Sequence, residues 1–154
     1  MREAEEEAAP SPRAKLSFDG NVVALAPMVR LSTLPLRLLA VRSGADIVFS
    51  EELIDRKLAS CTRIVNERLG TVDFVTGKAS SSAVRPAVFR CHREEKGRLV
   101  AQIGTAEAGA AWRAAEVVCM DVDGIDVVTA LLHTPAVSNK THRLCAAPTE
   151  HGMP

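Results

Sequence analysis

The chain has 154 residues, 47% of them apolar, with Lys plus Arg and Asp plus Glu equal at 19 each. That suffices for one domain with a sizeable core and excludes general disorder. It also excludes the overall basic excess of a protein that grips nucleic acid through its whole surface. Four cysteines (Cys61, Cys91, Cys119, Cys145) show no C-x-x-C spacing. No run approaches the roughly eighteen apolar residues of a membrane span, and the start is Glu-rich, unlike a signal peptide. The expectation is a soluble, cytoplasmic protein with free thiols and no membrane partner.

Residues 1–15 carry Glu3, Glu5, Glu6 and Glu7 and no large apolar residue after Met1, which predicts a disordered acidic tail. Order is expected from Leu16. The apolar run Asn21 to Pro27 predicts a strand covered on both faces. Thr33 as cap, Pro35 in the first turn and Gly44 as terminator predict a helix with Leu34, Leu38 and Val41 inward and Arg37 and Arg42 outward. Ala45 to Ser50 reads as a second buried strand. A short helix is expected next, with Glu51 and Glu52 in its first turn. "CTRIVNERLGTVDFV" fits helix or strand, and Thr76 to Ala87 reads as a loop.

"AVFRCH" and "RLVAQIG" flank the turn "REEKG" and predict a hairpin. Thr105 is expected to cap an Ala-rich helix in which Trp112, Ala115 and Val118 or Cys119 recur at helical spacing. Asp121 to Gly124 then form a turn and Ile125 to Val128 a strand. The order β-α-β-α-hairpin-β-α-β implies a parallel sheet with right-handed crossovers, either doubly wound or part of a (β/α) barrel. No Gly-rich phosphate loop follows a strand, which favours the barrel. Residues 128–154 hold three of the four histidines and three prolines without sustained periodicity, and read as a divergent, disordered tail.

Candidate chemistry clusters where strands end. Pro27 and Met28 stand where the first strand becomes a loop; the turn can bring amides to a flat ligand, or simply end a strand. Glu51 and Glu52 can bind a hydroxyl or complement a helix dipole. Gln102, deep in an apolar strand, needs partners for its amide, from a ligand or from backbone. Cys91 and His92 are adjacent, so on a strand they point to opposite faces and form no nucleophile–base pair. His133, His142, Cys145 and His151 match no zinc spacing, and no metal is expected.

Taken together, "ALAPMVRLSTLPLRLLAVRSGADIVFSEELIDRK", "TVDFV", "VAQIGTAEA" and "DGIDV" resemble the tRNA-dihydrouridine synthases. "SEELID" looks most like the eukaryotic branch that acts on uridine 20. The resemblance covers Asn21 to Val127, about the amino-terminal half of that family's catalytic barrel. It implies a partial TIM barrel of about four strands over residues 16–127. It further implies FMN as cofactor, NADPH or NADH as reductant, and tRNA as the substrate whose uridine is reduced. The positions it maps along the flavin are Pro27, Met28, Val29, Arg30, Glu52 and Gln102. The family's Asn-x-Gly-Cys-Pro motif, which carries the catalytic cysteine, has no counterpart after Val127, where the chain continues "VTALLHTP". The expectation is therefore a truncated form without turnover. The alternative is a non-catalytic fragment that meets a protein partner through open sheet edges.

Overall fold

The computed structural model describes residues 16–77 and 86–129 and the backbone of Leu144–Cys145. The tails expected over 1–15 and most of 128–154 lie outside these residues, as does most of the loop between Thr76 and Ala87. Strands are β1 (Ala24–Leu25), β2 (Ile47–Ile54), β3 (Cys61–Asn66), β4 (Thr71–Thr76), β5 (Ala87–His92), β6 (Leu99–Thr105), β7 (Gly124–Thr129) and β8 (Leu144–Cys145). Helices are α1 (Leu34–Arg42), α2 (Asp55–Ala59) and α3 (Ala108–Val118).

One sheet runs β1-β2-β6-β7-β8, the other β3-β4-β5. In the first, β1, β2, β6 and β7 are parallel and advance in one direction, with a helix in each crossover. The expected α/β class with a parallel sheet is present, and the one-way order agrees with part of a barrel. The boundary expected at Val127 falls inside β7. Leu144–Cys145 pairs antiparallel with Ile125–Asp126, so one edge of the sheet is partly covered by the chain's own backbone.

Local signals place α1. Pro35 stands in its first turn, and Gly44 (φ 97°) ends it. The amide of Ala45 donates to the Ala40 carbonyl at 2.9 Å and that of Gly44 to Val41 at 3.1 Å, which closes the orphan carbonyls in a Schellman arrangement. Thr33 occupies the cap position without a side-chain capping bond.

Several expectations are corrected by longer-range contacts. The ambiguous stretch is the hairpin β3–β4, in register from Cys61 opposite Thr76 to Asn66 opposite Thr71. The predicted β5–β6 hairpin does not form: β5 pairs with β4, and β6 lies between β2 and β7. Every residue of β6 is buried, which suits a central parallel strand better than a hairpin arm. The turn between them is set by the carboxylate of Glu95, which accepts the His92 amide at 3.0 Å, while His92 Nδ1 accepts the Glu94 amide.

Arg37 points inward, not outward; it is 2% exposed and pairs with Glu95. Of the helix positions singled out in α3, Val118 is buried but Trp112 is 69% exposed, and the helix buries Ala110 and Ala114 with Val118. The run around β1 is less covered than its apolarity predicts, with Val23 63% exposed, because among the described residues β1 is the end strand, with a strand neighbour on one side only. The core lies between the parallel sheet and the remaining elements. Val48, Leu53, Leu99, Ala101 and Ile103 of the sheet meet Leu58, Ala114 and Val118 of the helices and Phe74, Phe89 and Cys91 of the smaller sheet. No helix among the described residues is long and apolar enough to cross a membrane.

Candidate functional site

The other face of the parallel sheet, away from this core, carries the polar residues. The loop after β1 is wound around Ser32, which is fully buried. Its hydroxyl donates to the Ala26 carbonyl at 3.0 Å and accepts the Met28 amide at 3.0 Å. The Met28 carbonyl accepts the amides of Leu31 and Ser32. Pro27 and Met28 are half-buried in this turn, and Val29 is exposed. Arg30 has φ 63°, a left-handed conformation unusual for a residue with a side chain. The Glu51 carboxylate holds it there by accepting the Arg30 amide at 2.8 Å.

Glu51 and Glu52 are strand residues, not the first turn of a helix. A bulge between Phe49 and Glu52 lets β2 run on to Ile54. At the bulge the Ser50 hydroxyl replaces a ladder acceptor, taking the Gln102 amide at 2.9 Å and donating to the Glu51 carbonyl at 2.7 Å. The helix that follows has Asp55 in its first turn.

Beyond the bulge, Glu52 stands beside Gln102 and Gln102 beside Asp126. Gln102 is 9% exposed, and its Nε2 donates to Asp126 Oδ2 at 2.8 Å. The Glu52 side chain lies against Gly104, where a methyl group would overlap its carboxyl and sit within 2.9 Å of its Cδ and Cγ. Glycine at 104 is what lets Glu52 lie across β6. Pro27 to Arg30 follow β1, Glu52 lies near the carboxyl end of β2, and Gln102 lies beside it midway along β6; the carboxyl end of a parallel sheet is where ligands are usually held.

Asp126 was not singled out from the sequence. The available signal is a lone carboxylate between Ile125 and Val127 in a strand expected to be buried. A cleft of about 370 Å³ beside the loop is lined by Thr33, Pro35, Glu51 and Phe89. Another, of about 320 Å³, lies at the opposite end, near Leu99, Asp121 and Asp123. Neither is lined by Gln102 or Asp126, both of which are buried.

Thr105, expected as a helix cap, ends β6 instead; its hydroxyl donates to Asp55 Oδ2 at 2.7 Å and accepts the Glu107 amide at 3.1 Å. The Thr105 hydrogen bond holds the Asp55 carboxyl below its ordinary value. At Asp73 burial acts to raise the carboxyl, but hydrogen bonds from Arg90, Thr71 and Asn66 outweigh it and hold it low. Carboxyls depressed in the folded state contribute stability above the unfolded carboxylate range and lose it as pH falls through their folded values. Thermal unfolding should therefore plateau above about pH 5 and decline below about pH 4. Thr105→Val is expected to lower Tm on the plateau, with its gap to the unmodified chain closing in acid; a gap that widens would contradict this.

Cys91 is buried, its thiol is pushed up to about 12 by that burial, and its sulfur faces the Val72 carbonyl at 3.8 Å. His92 is engaged in the turn, so the adjacent pair forms no nucleophile–base couple.

No family model matches the chain. It is 46% identical over 110 residues to the tRNA-dihydrouridine(20) synthase (NAD(P)+) of Schizosaccharomyces pombe, a match covering 70% of this chain and 22% of that protein. It is 43% identical over 113 residues to the tRNA-dihydrouridine(20) synthase (NAD(P)+) of Saccharomyces cerevisiae, covering 73% of this chain and 29% of that protein. The chain spans less than a third of the length of these relatives. Over the matched seven-tenths of its length, it belongs to the tRNA-dihydrouridine synthase family.

Proposed function

We propose that this chain carries the amino-terminal part of an FMN-binding face on a partial (β/α) barrel. The corresponding whole activity is reduction of uridine to dihydrouridine in tRNA, with NADPH or NADH as reductant. The observation that carries the reading is the placement of Pro27–Arg30 directly after β1, Glu52 near the end of β2 and Gln102 beside Glu52 on β6, on three neighbouring parallel strands. The donor set fits the group. Gln102 Nε2 is taken by Asp126, while its Oε1 accepts no hydrogen bond among the described residues and is not sealed from solvent. The imide N–H of a flavin is a suitable partner for that oxygen.

When bound, FMN would relay hydride from the nicotinamide to the uracil ring. The residues of this chain would hold it: Pro27 to Arg30 as a turn backing the ring, Glu52 and Gln102 along its polar edge. Glu51 keeps that turn in shape through the Arg30 amide. The strand β7, which in the family leads to the proton-donating cysteine, ends here in Val128 and Thr129. We therefore expect flavin binding without turnover.

Titration of the purified chain with FMN, followed by flavin fluorescence and visible absorbance, tests this. Quenching with a shifted flavin spectrum is expected, and no dihydrouridine should form on unmodified tRNA with NADPH. A folded chain that leaves FMN unbound would refute the flavin face; dihydrouridine formation would refute the missing donor. A second reading, a non-catalytic chain acting through protein contacts, is favoured by one observation. The outer edge of β1 has no strand beside it among the described residues, and Val23 near it is exposed.

A further inference from the structure

We infer that Asp126 is a positioning residue: it turns the Gln102 side-chain amide so that Oε1, not Nε2, is offered to a ligand at the carboxyl ends of the strands. The ligand class rests on the flavin reading above; the orientation does not.

A glutamine amide has two ends of nearly equal shape and opposite hydrogen-bonding sense. Packing alone distinguishes them poorly. A carboxylate settles the choice because it only accepts. Gln102 and Asp126 are paired in register on adjacent strands, 9% and 7% exposed, with Nε2 to Oδ2 at 2.8 Å. Flipping the amide would set its carbonyl oxygen against the carboxylate and forfeit that bond. The backbone of Gln102 is separately pinned, since its amide donates to Ser50 Oγ at 2.9 Å. The residue is thus held through its backbone and through Nε2, with Oε1 left for a ligand.

The neighbours reinforce the selection. Glu52 flanks Gln102 on the other side. From β2 to β7 the row therefore reads carboxylate, carbonyl oxygen, carboxylate. Such a row favours a ligand N–H and disfavours a phosphate. For FMN, this directs the imide edge of the ring toward β6 and the phosphate away from these three strands.

The test compares the 154-residue chain with its Asp126→Asn and Asp126→Leu variants, each checked for folding by circular dichroism. Nitrogen-resolved NMR reads solvent exchange of the Gln102 side-chain amide protons, identified by their loss in Gln102→Leu. Fluorescence reads affinity for FMN and for its N3-methyl analogue. In the unmodified chain, amide exchange about tenfold slower than for a free glutamine is expected, with FMN preferred over the methylated analogue by about tenfold. Asparagine can still accept from Nε2 and should keep the preference within about threefold. Leucine should abolish both the protection and the preference. A folded Asp126→Leu that keeps the preference overturns the proposal. So does free exchange at Gln102 in the folded, unmodified chain, which also decides the matter if the leucine variant does not fold. Protected amide protons without any FMN binding would overturn the flavin reading and leave the orientation standing.

Discussion

Arg37→Leu is expected to lower the unfolding free energy by about 3–5 kcal/mol, because it leaves a buried carboxylate without its counter-charge. Arg37 Nε reaches Glu95 Oε1 at 2.6 Å, with both side chains almost wholly buried. Three of its four remaining donors are used as well: one goes to the Ser32 carbonyl at 2.8 Å, one to the Arg90 carbonyl at 2.6 Å and one to Glu95 Oε2 at 3.3 Å. The guanidinium also lies over the Phe89 ring, 5.4 Å from its centroid. One side chain thus joins α1, β5, the turn before β6 and the loop that follows β1. The loss is comparable with the whole stability of a small domain, about 5–15 kcal/mol.

Replacing both charges by leucine should recover part of the loss, since no lone charge is then buried. Recovery should stay incomplete, because the Ser32 and Arg90 carbonyls and the His92 amide lose partners. Urea unfolding of the two single variants and the double variant measures this. A single-variant loss below about 1 kcal/mol would place the pair among those that contribute little. The link to Ser32 adds a second readout. If Arg37 sets the loop that holds Pro27 to Arg30, FMN affinity should fall in Arg37→Leu even where the chain remains mostly folded.

Phe74→Ala should cost about 3–5 kcal/mol, and Phe74→Leu less than about 1.5 kcal/mol. Phe74 is fully buried and stands opposite Phe89 across β4 and β5, their rings stacked at 5.6 Å. Truncation removes one of the three buried side chains, with Phe89 and Cys91, by which the antiparallel sheet shares a core with Leu58 and Ile103. The outcome distinguishes two roles for β3–β5. If the three strands form one cooperative core with the parallel sheet, the whole unfolding transition shifts. If they are an appended flap, Phe74→Ala shifts little, or gives a separate early transition visible only to a probe in those strands.

The candidate residues are legible in the sequence as candidates: Pro27 to Arg30, Glu52 and Gln102 stand out by lying at or near predicted strand ends and by the family resemblance. What was misread was their setting. Glu51 and Glu52 look like helix-start carboxylates in sequence, because the bulge that carries β2 past them depends on Ser50 meeting Gln102, 52 residues away. Asp126 gave only a faint signal, and its use depends on a register across 24 residues.

The division has a physical cause. Proline and glycine act on their own backbone angles, so Pro35 and Gly44 marked α1 in any context. The apolar run of β6 marked it as a buried strand, and it is buried throughout, whereas in β7 only Asp126 is buried. Which strand lies beside which was decided only by packing, so β5 left β6 for β4. Arginine in a helix is outward by default, because a buried charge is costly. Only the carboxylate of Glu95, 58 residues along the chain, made an inward Arg37 favourable.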